Sequence, residues 1–175
     1  MKRSTLTLFA LLFAFGGRLF SAESPSGVDT AWTGAASDAW ADPANWSKGL
    51  PSEKGIANTT AGNTSSGQVY IMSGGGLIIQ KGGELTTGGN LVTGNNGHAG
   101  LTEVAGGTLH VGGVILLGHN GFEGGLKIDS GTVSADGLSI HESGAAKIIL
   151  RGSGKLILPN SVENLRNIRY WIDNT

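Results

Sequence analysis

The chain contains no cysteine and only 4 prolines, and aromatic residues fill 6% of its 175 positions. Without thiols there is no disulfide staple, no thiolate metal site and no thiol nucleophile. So few aromatics beside 31 glycines leave too little side-chain volume for a large globular core. Charge is sparse as well: charged residues are 14% of the chain, 12 basic and 13 acidic, with a net charge of -1. Loss of Lys2, Arg3 and Arg18 with an N-terminal leader leaves 9 basic against 13 acidic residues. Nucleic acid is therefore excluded as an expected partner, because its binding rests on clustered Lys and Arg. After that leader no stretch approaches the roughly 20 consecutive apolar residues that a membrane-spanning helix needs.

What is present is repetition. Leu85–Thr108 laid above Leu109–Thr132 aligns a leucine, a GG pair, a G-x-N-G corner and a closing GT at a period of about 24 residues. A fixed period of this size is the signature of a solenoid. Within it the apolar residues stand in i, i+2 pairs, which is strand spacing. Three columns result. One runs through Val69/Ile71, Leu91/Thr93, Ile115/Leu117 and Leu138/Ile140; a second through Leu77/Ile79, Leu101/Val104, Leu126/Ile128 and Ile148/Leu150; the third through Leu85/Thr87, Leu109/Val111, Val133/Ala135 and Leu156/Leu158. The expected fold is all-β: a right-handed parallel β-helix of about four three-strand coils over residues 68–158, each burying its small core against the next. Leu101 and Val104 lie three apart, so a β-bulge is expected near Thr102 or Glu103.

The corners are glycine-rich and in register. Gly75, Gly97, Gly121 and Gly144 share one position, where positive φ is expected, and Asn96 and Asn120 precede two of them as candidates for a stacked Asn ladder. Gly124 and Gly125 are expected to tolerate change better than Gly121.

At the N-terminus, Lys2 and Arg3 precede the apolar run Leu6–Phe15 and small residues at Ser21 and Ala22, the pattern of a secretory signal peptide over residues 1–22. Residues 23–67 hold a leader followed by a Trp-rich segment. There Asp42-Pro43 and Asn45 form a turn between Trp40 and Trp46. Trp32, Trp40 and Trp46 cover the open end of the first coil in one reading. In the other they are a sugar-stacking platform, which makes them the candidate ligand-binding residues. Residues 159–175 change to helical spacing: Val162, Leu165, Ile168, Trp171 and Ile172 recur as an apolar stripe behind a cap at Asn160 or Ser161, predicting a short helix laid over the last coil.

The segment Trp32-Thr33-Gly34, Trp40, Asp42-Pro43, Asn45-Trp46, followed by G-G-T-L-x-V-G-G and L-G-x-N-G coils, resembles secreted bacterial β-helix proteins related to autotransporter passenger-associated repeats. The similarity covers about Ala31 to Leu158. It implies an adhesin-like or structural role at the cell surface or outside the cell. The chain departs from that pattern in its small number of coils and in lacking a C-terminal translocator barrel or hydrophobic sorting segment.

Catalytic chemistry finds little to stand on. Glycan-cleaving β-helices need paired carboxylates, or a calcium cluster with a base, on one face, and here the acids are scattered. Asp129 and Arg151 share a corner one coil apart, which predicts a cross-coil ion pair. Asn95, His119 and Glu142 share a column, whereas His98, His110 and His141 are expected not to converge. The calcium-binding G-G-x-G-x-D repeat is absent, since neither Gly88 nor Gly112 opens such a run. The expectation is a secreted or cell-surface, non-catalytic module without cofactor or metal, with extracellular polysaccharide or other surface proteins as partners. The alternative is a carbohydrate-active protein, either a glycan-binding module or a small lyase-like β-helix.

Overall fold

A computed structural model describes residues 5–8, 30–51, 56–59, 62–71, 75–95, 99–141 and 146–173. Among these, fourteen strands and one α-helix, besides two short 3-10 turns, follow in order: β1 (Thr5–Leu8), β2 (Thr30–Trp32), β3 (Ile56–Thr59), β4 (Gly62–Ser66), β5 (Val69–Ile71), β6 (Gly76–Gln80), β7 (Gly83–Thr87), β8 (Leu91–Thr93), β9 (Gly100–Ala105), β10 (Thr108–Leu117), β11 (Gly124–Asp129), β12 (Thr132–Ile140), β13 (Lys147–Arg151), β14 (Lys155–Pro159) and α1 (Val162–Asp173). Strands pair in parallel with those one coil away. One sheet runs β13-β11-β9-β6-β3-β2, and the other carries β14-β12-β10-β7-β4 with β5 and β8 beside it. About three full turns, each with three strand segments, are flanked by partial turns at both ends, which makes a parallel β-helix.

The columns stack as the spacing predicts, with Val69, Leu91, Ile115 and Leu138 in one register and Leu85, Leu109, Val133 and Leu156 in another. Leu85, Leu91, Leu109, Ile115 and Val133 have no solvent exposure. A column of this kind places like side chains about 4.8 Å apart along the axis, so each coil completes its neighbour's core.

At β9 the expected bulge is not found. The strand pairs continuously from Gly100 to Ala105 with β11, and Thr102 rather than Leu101 occupies the inward site opposite Leu126. Thr102 is fully buried, and its hydroxyl shares a 2.9 Å hydrogen bond with that of Thr93, also fully buried. Two threonines that satisfy each other across the core remove the cost of placing either there. The strand therefore keeps strict alternation and turns Leu101 and Glu103 to the other face of the sheet.

The corners explain the recurring glycines. Gly118 has φ 64°, and a Cβ there would stand 2.4 Å from the Phe122 carbonyl oxygen. Gly121 has φ 85°, as its register predicts, and Asn120 before it has φ 58°. Gly124 does not belong to a permissive lip: a Cβ there would meet the Thr93 carbonyl oxygen at 2.1 Å, because this corner packs directly on the coil below. The expected ladder also differs by one position, since Asn120 Nδ2 donates to Asn95 Oδ1 at 2.9 Å. Gly97, Gly144 and Asn96 lie outside the described residues.

Two elements cover the C-terminal end of the coil. Strand β1, within the expected signal peptide, pairs antiparallel with β14, Leu6 opposite Leu158 and Leu8 opposite Leu156. The rest of residues 1–22 lies outside the described residues. Helix α1 forms where helical spacing begins, and Ser161 caps it, its Oγ accepting from the Asn164 amide at 3.1 Å. The face it turns inward carries only part of the expected apolar stripe: Ile168 packs against the core, and the side chains of Trp171 and Ile172 lie outside the described residues. Val162 and Leu165 are 85% and 43% exposed, while Asn164 is buried at 3%. The reason is the surface being covered. Beyond Ser134, β12 has no β14 partner, so its backbone groups need hydrogen bonds. Asn164 Oδ1 accepts from the Leu138 amide, Asn164 Nδ2 donates to the Asp136 and Pro159 carbonyls, and Asn167 Nδ2 donates to the Leu138 carbonyl. A helix that closes a strand edge presents carboxamides. Among the described residues no helix is long and apolar enough to cross a membrane.

Candidate functional site

The tryptophan segment is held by a dense set of side-chain hydrogen bonds. Asn45 sits at its centre with no exposure. Its Oδ1 accepts from the Ala36 and Ser37 amides at 2.8 Å each, and its Nδ2 donates to Ser37 Oγ and to the Ala39 carbonyl. Its own carbonyl accepts from the Thr33 amide at 2.7 Å. Asp42 begins the short 3-10 turn Pro43–Asn45 by accepting from the Ala44 amide, which positions Asn45 and Trp46. The D-P-x-N-W spelling is thus a loop-building device.

That loop holds the three indoles. Trp32 and Trp46 are 3% and 4% exposed, and Trp40 is half-buried. Trp46 stands edge-on to both partners, to Trp32 at 5.2 Å and 77° and to Trp40 at 4.7 Å and 76° between rings. Trp46 Nε1 donates to the Trp40 carbonyl at 2.9 Å. Among the described residues buried Trp32 Nε1 has no hydrogen-bond partner. Edge-to-face packing of this kind contributes about 0.5–1.5 kcal/mol per pair beyond area burial. The loop also seals β2, the outer strand of its sheet. The Ser47 amide donates to the Ala31 carbonyl and Ser47 Oγ accepts from the Ala31 amide, so the free edge of β2 is spent on the chain's own loop.

A second cluster lies on the outer face of the β7, β10 and β12 stack. His110 Nδ1 and Ser134 Oγ are 2.6 Å apart, and His110 Nε2 stands 3.9 Å from Glu84 Oε1. This brings together a hydroxyl, an imidazole and a carboxylate, the residue types of an acyl-transfer triad. The repeat contained the signal, since Ser134 follows His110 at the coil period; comparing the histidines only with one another misses it. The surroundings do not complete such a site. Ser134 is mid-strand, paired on one side with β10 and on the other with β14, so the backbone lacks the free, convergent N–H groups of an oxyanion hole. His110 is 48% and Glu84 40% exposed at the side chain, on a flat face. The contact is a cross-strand ladder pair of about 0.2–1 kcal/mol.

A second charged contact on the coils also follows the coil period, whereas Arg166 and Glu163 pair at 3.7 Å within α1. Lys127 Nζ and Glu103 Oε1 form an ion pair at 2.8 Å with side-chain exposures of 8% and 5%. Their column continues as Ile78 before and Ile149 after. The expected pair between Asp129 and Arg151 is in the predicted register, yet Asp129 Oδ1 receives the Ser130 hydroxyl, and among the described residues Arg151 makes no ion pair with it. Arg151 is exposed, and a long side chain in water gains little from holding one geometry. His119 is half-buried beside the Asn95–Asn120 bond, and its expected partner Glu142 lies outside the described residues. Among the described residues no three His, Cys, Asp or Glu side chains gather closely enough to hold a metal ion.

These features define the class: a glycine-cornered parallel β-helix whose first strand edge is closed by a Trp–Asn loop. Comparison with protein-family models, with curated proteins and with solved structures finds no match.

Proposed function

We propose that the chain is a secreted, non-catalytic β-helix module with an adhesin-like or structural role outside the cell. The observation that carries this reading is the use made of the indoles. Trp32 and Trp46 pack perpendicular to one another inside the cap, whereas sugar rings stack on open, accessible aromatic faces. The repeat's chemistry is likewise spent on stacking: threonine pairs in the core, Asn bonds at corners, and hydroxyl–imidazole contacts on a flat face. Such a surface recognises partners by many outward side chains spread over several coils, as solenoids do. Extracellular polysaccharide and other surface proteins are the partner classes that suit it. The signal-like N-terminus and the resemblance to autotransporter-related repeats support the same placement.

The test has two parts. Fractionation of producing cells should recover the chain outside the cytoplasm with residues 1–22 removed. Purified protein incubated with pectin, alginate, xylan or glycosaminoglycans, with and without calcium, should release neither reducing ends nor unsaturated uronates. Release that disappears in His110→Ala or Ser134→Ala would overturn the non-catalytic reading.

A further inference from the structure

We infer that the mature chain pairs end to end with a second copy of itself through the outer edge of β14. The inference rests on removal of residues 1–22 under the export reading above. In the full chain that edge is filled by β1, antiparallel, with Thr5 opposite Pro159, Leu6 opposite Leu158, Thr7 opposite Ile157 and Leu8 opposite Leu156. Cleavage takes β1 away and exposes a strand whose seat demonstrably accepts an antiparallel L-x-L segment. An open, flat edge of this kind invites another strand.

The occupant that fits is β14 of another copy. Its Leu156-Ile157-Leu158 repeats the L-x-L of β1 and reads the same in both directions. A two-fold axis through Ile157 sets Leu156 opposite the second copy's Leu158, as Leu8 is now set, and Leu158 opposite its Leu156, as Leu6 is. Lys155 then faces Pro159, so no like charges oppose. This is an isologous contact, which closes at two copies.

A separate observation points the same way. The same end of the solenoid carries two unmet apolar surfaces. Helix α1 exposes Val162 and Leu165, at 85% and 43%. Among the described residues β13 is the last strand of its sheet, and its inward Ile148 and Leu150 are only half-buried. Helix α1 lies on the β12 side of β14, where Asn164 and Asn167 fix it, and β13 joins the opposite end of β14. The two-fold exchanges those ends. It carries each copy's α1 over the other copy's β13, apolar surface to apolar edge.

The core residues whose burial is described run from Trp32 to Leu158, with Ile168 packed against them, and all lie within residues 23–175. That chain, made directly, should show twice the monomer mass by light scattering at tens of micromolar, and the full chain with residues 1–22 retained should be monomeric. Ile157→Lys, which sets two ammonium groups face to face on the axis, should return the 23–175 chain to monomer with unchanged far-UV circular dichroism. Should that variant misfold, Leu165→Glu on the exposed helix face provides the same reading, with dimer affinity lowered at least tenfold. A folded 23–175 chain that stays monomeric, or a dimer untouched by the folded variant, overturns the inference. The intact mass of the exported chain separately tests whether the leader is removed.

Discussion

Replacement of the Glu103–Lys127 pair separates what a buried charge costs from what it contributes. Both side chains are more than nine-tenths buried, their bond is 2.8 Å, and among the described residues Glu103 Oε2 has no hydrogen-bond partner. Lys127→Ile leaves the carboxylate buried without its cation. Loss of one partner from a buried pair costs about 3–5 kcal/mol, a large share of the roughly 5–15 kcal/mol available to a domain. With a urea m-value of about 2 kcal/mol/M, the unfolding midpoint should fall by roughly 2 M. The double variant Glu103→Ile/Lys127→Ile should behave differently. Its column then carries isoleucine at every level from Ile78 to Ile149 in continuous register, an apolar ladder of β-branched residues suited to a covered sheet. Its stability should lie within about 1 kcal/mol of the parent or exceed it, since apolar replacement of a whole buried pair is often neutral to favourable. The assay is urea denaturation followed by far-UV circular dichroism on the parent, both single variants and the double. Additive losses, with a coupling energy below about 0.5 kcal/mol, would refute the reasoning that these side chains depend on each other.

Four further outcomes follow from the same structure. Ile115→Asp places an unpaired carboxylate at a site with no exposure, so it should abolish cooperative folding, checked by loss of the far-UV strand signal and of a thermal transition. Gly124→Ala, whose Cβ would lie 2.1 Å from a carbonyl oxygen, should cost about 2 kcal/mol or more, whereas Gly67→Ala, with nothing within 4 Å, should stay within about 0.5 kcal/mol by urea titration. Asn164→Leu keeps the helix but orphans backbone groups on β12, and should cost about 1–3 kcal/mol, with faster amide exchange at Leu138; Arg166→Ala on the exposed face should leave both unchanged. Asn45→Ala removes four side-chain hydrogen bonds from the Trp loop, and should shift tryptophan emission to longer wavelength before the β-helix itself melts.

The repeat alone determined the architecture. A hydrophobic pair every coil, with glycine between, has few ways to bury its apolar residues, and a stacked coil uses all of them at once. That is why Leu91, Ile115 and Leu138 could be placed over one another from spacing; the helix cap was legible as Asn160 or Ser161, and the fold uses Ser161. Side-chain partners were less legible, because a contact between neighbouring coils joins residues some 24 apart and is seen only when the register is laid out position by position. Glu103 with Lys127 and His110 with Ser134 are contacts of that kind. Tertiary structure decided the cases where two local signals competed. At β9 the apolar Leu101 lost its inward site to Thr102, because uninterrupted pairing along the strand, together with a hydroxyl bond to Thr93, outweighs the burial of one leucine. At the C-terminus Val162 and Leu165 of the apolar stripe gave way to the carboxamides of Asn164 and Asn167, while Ile168 kept its place on the core, because the surface beneath the helix includes a strand edge without a β14 partner. Hydrophobic spacing identifies which residues seek cover; only the assembled coil shows which polar groups need a partner first.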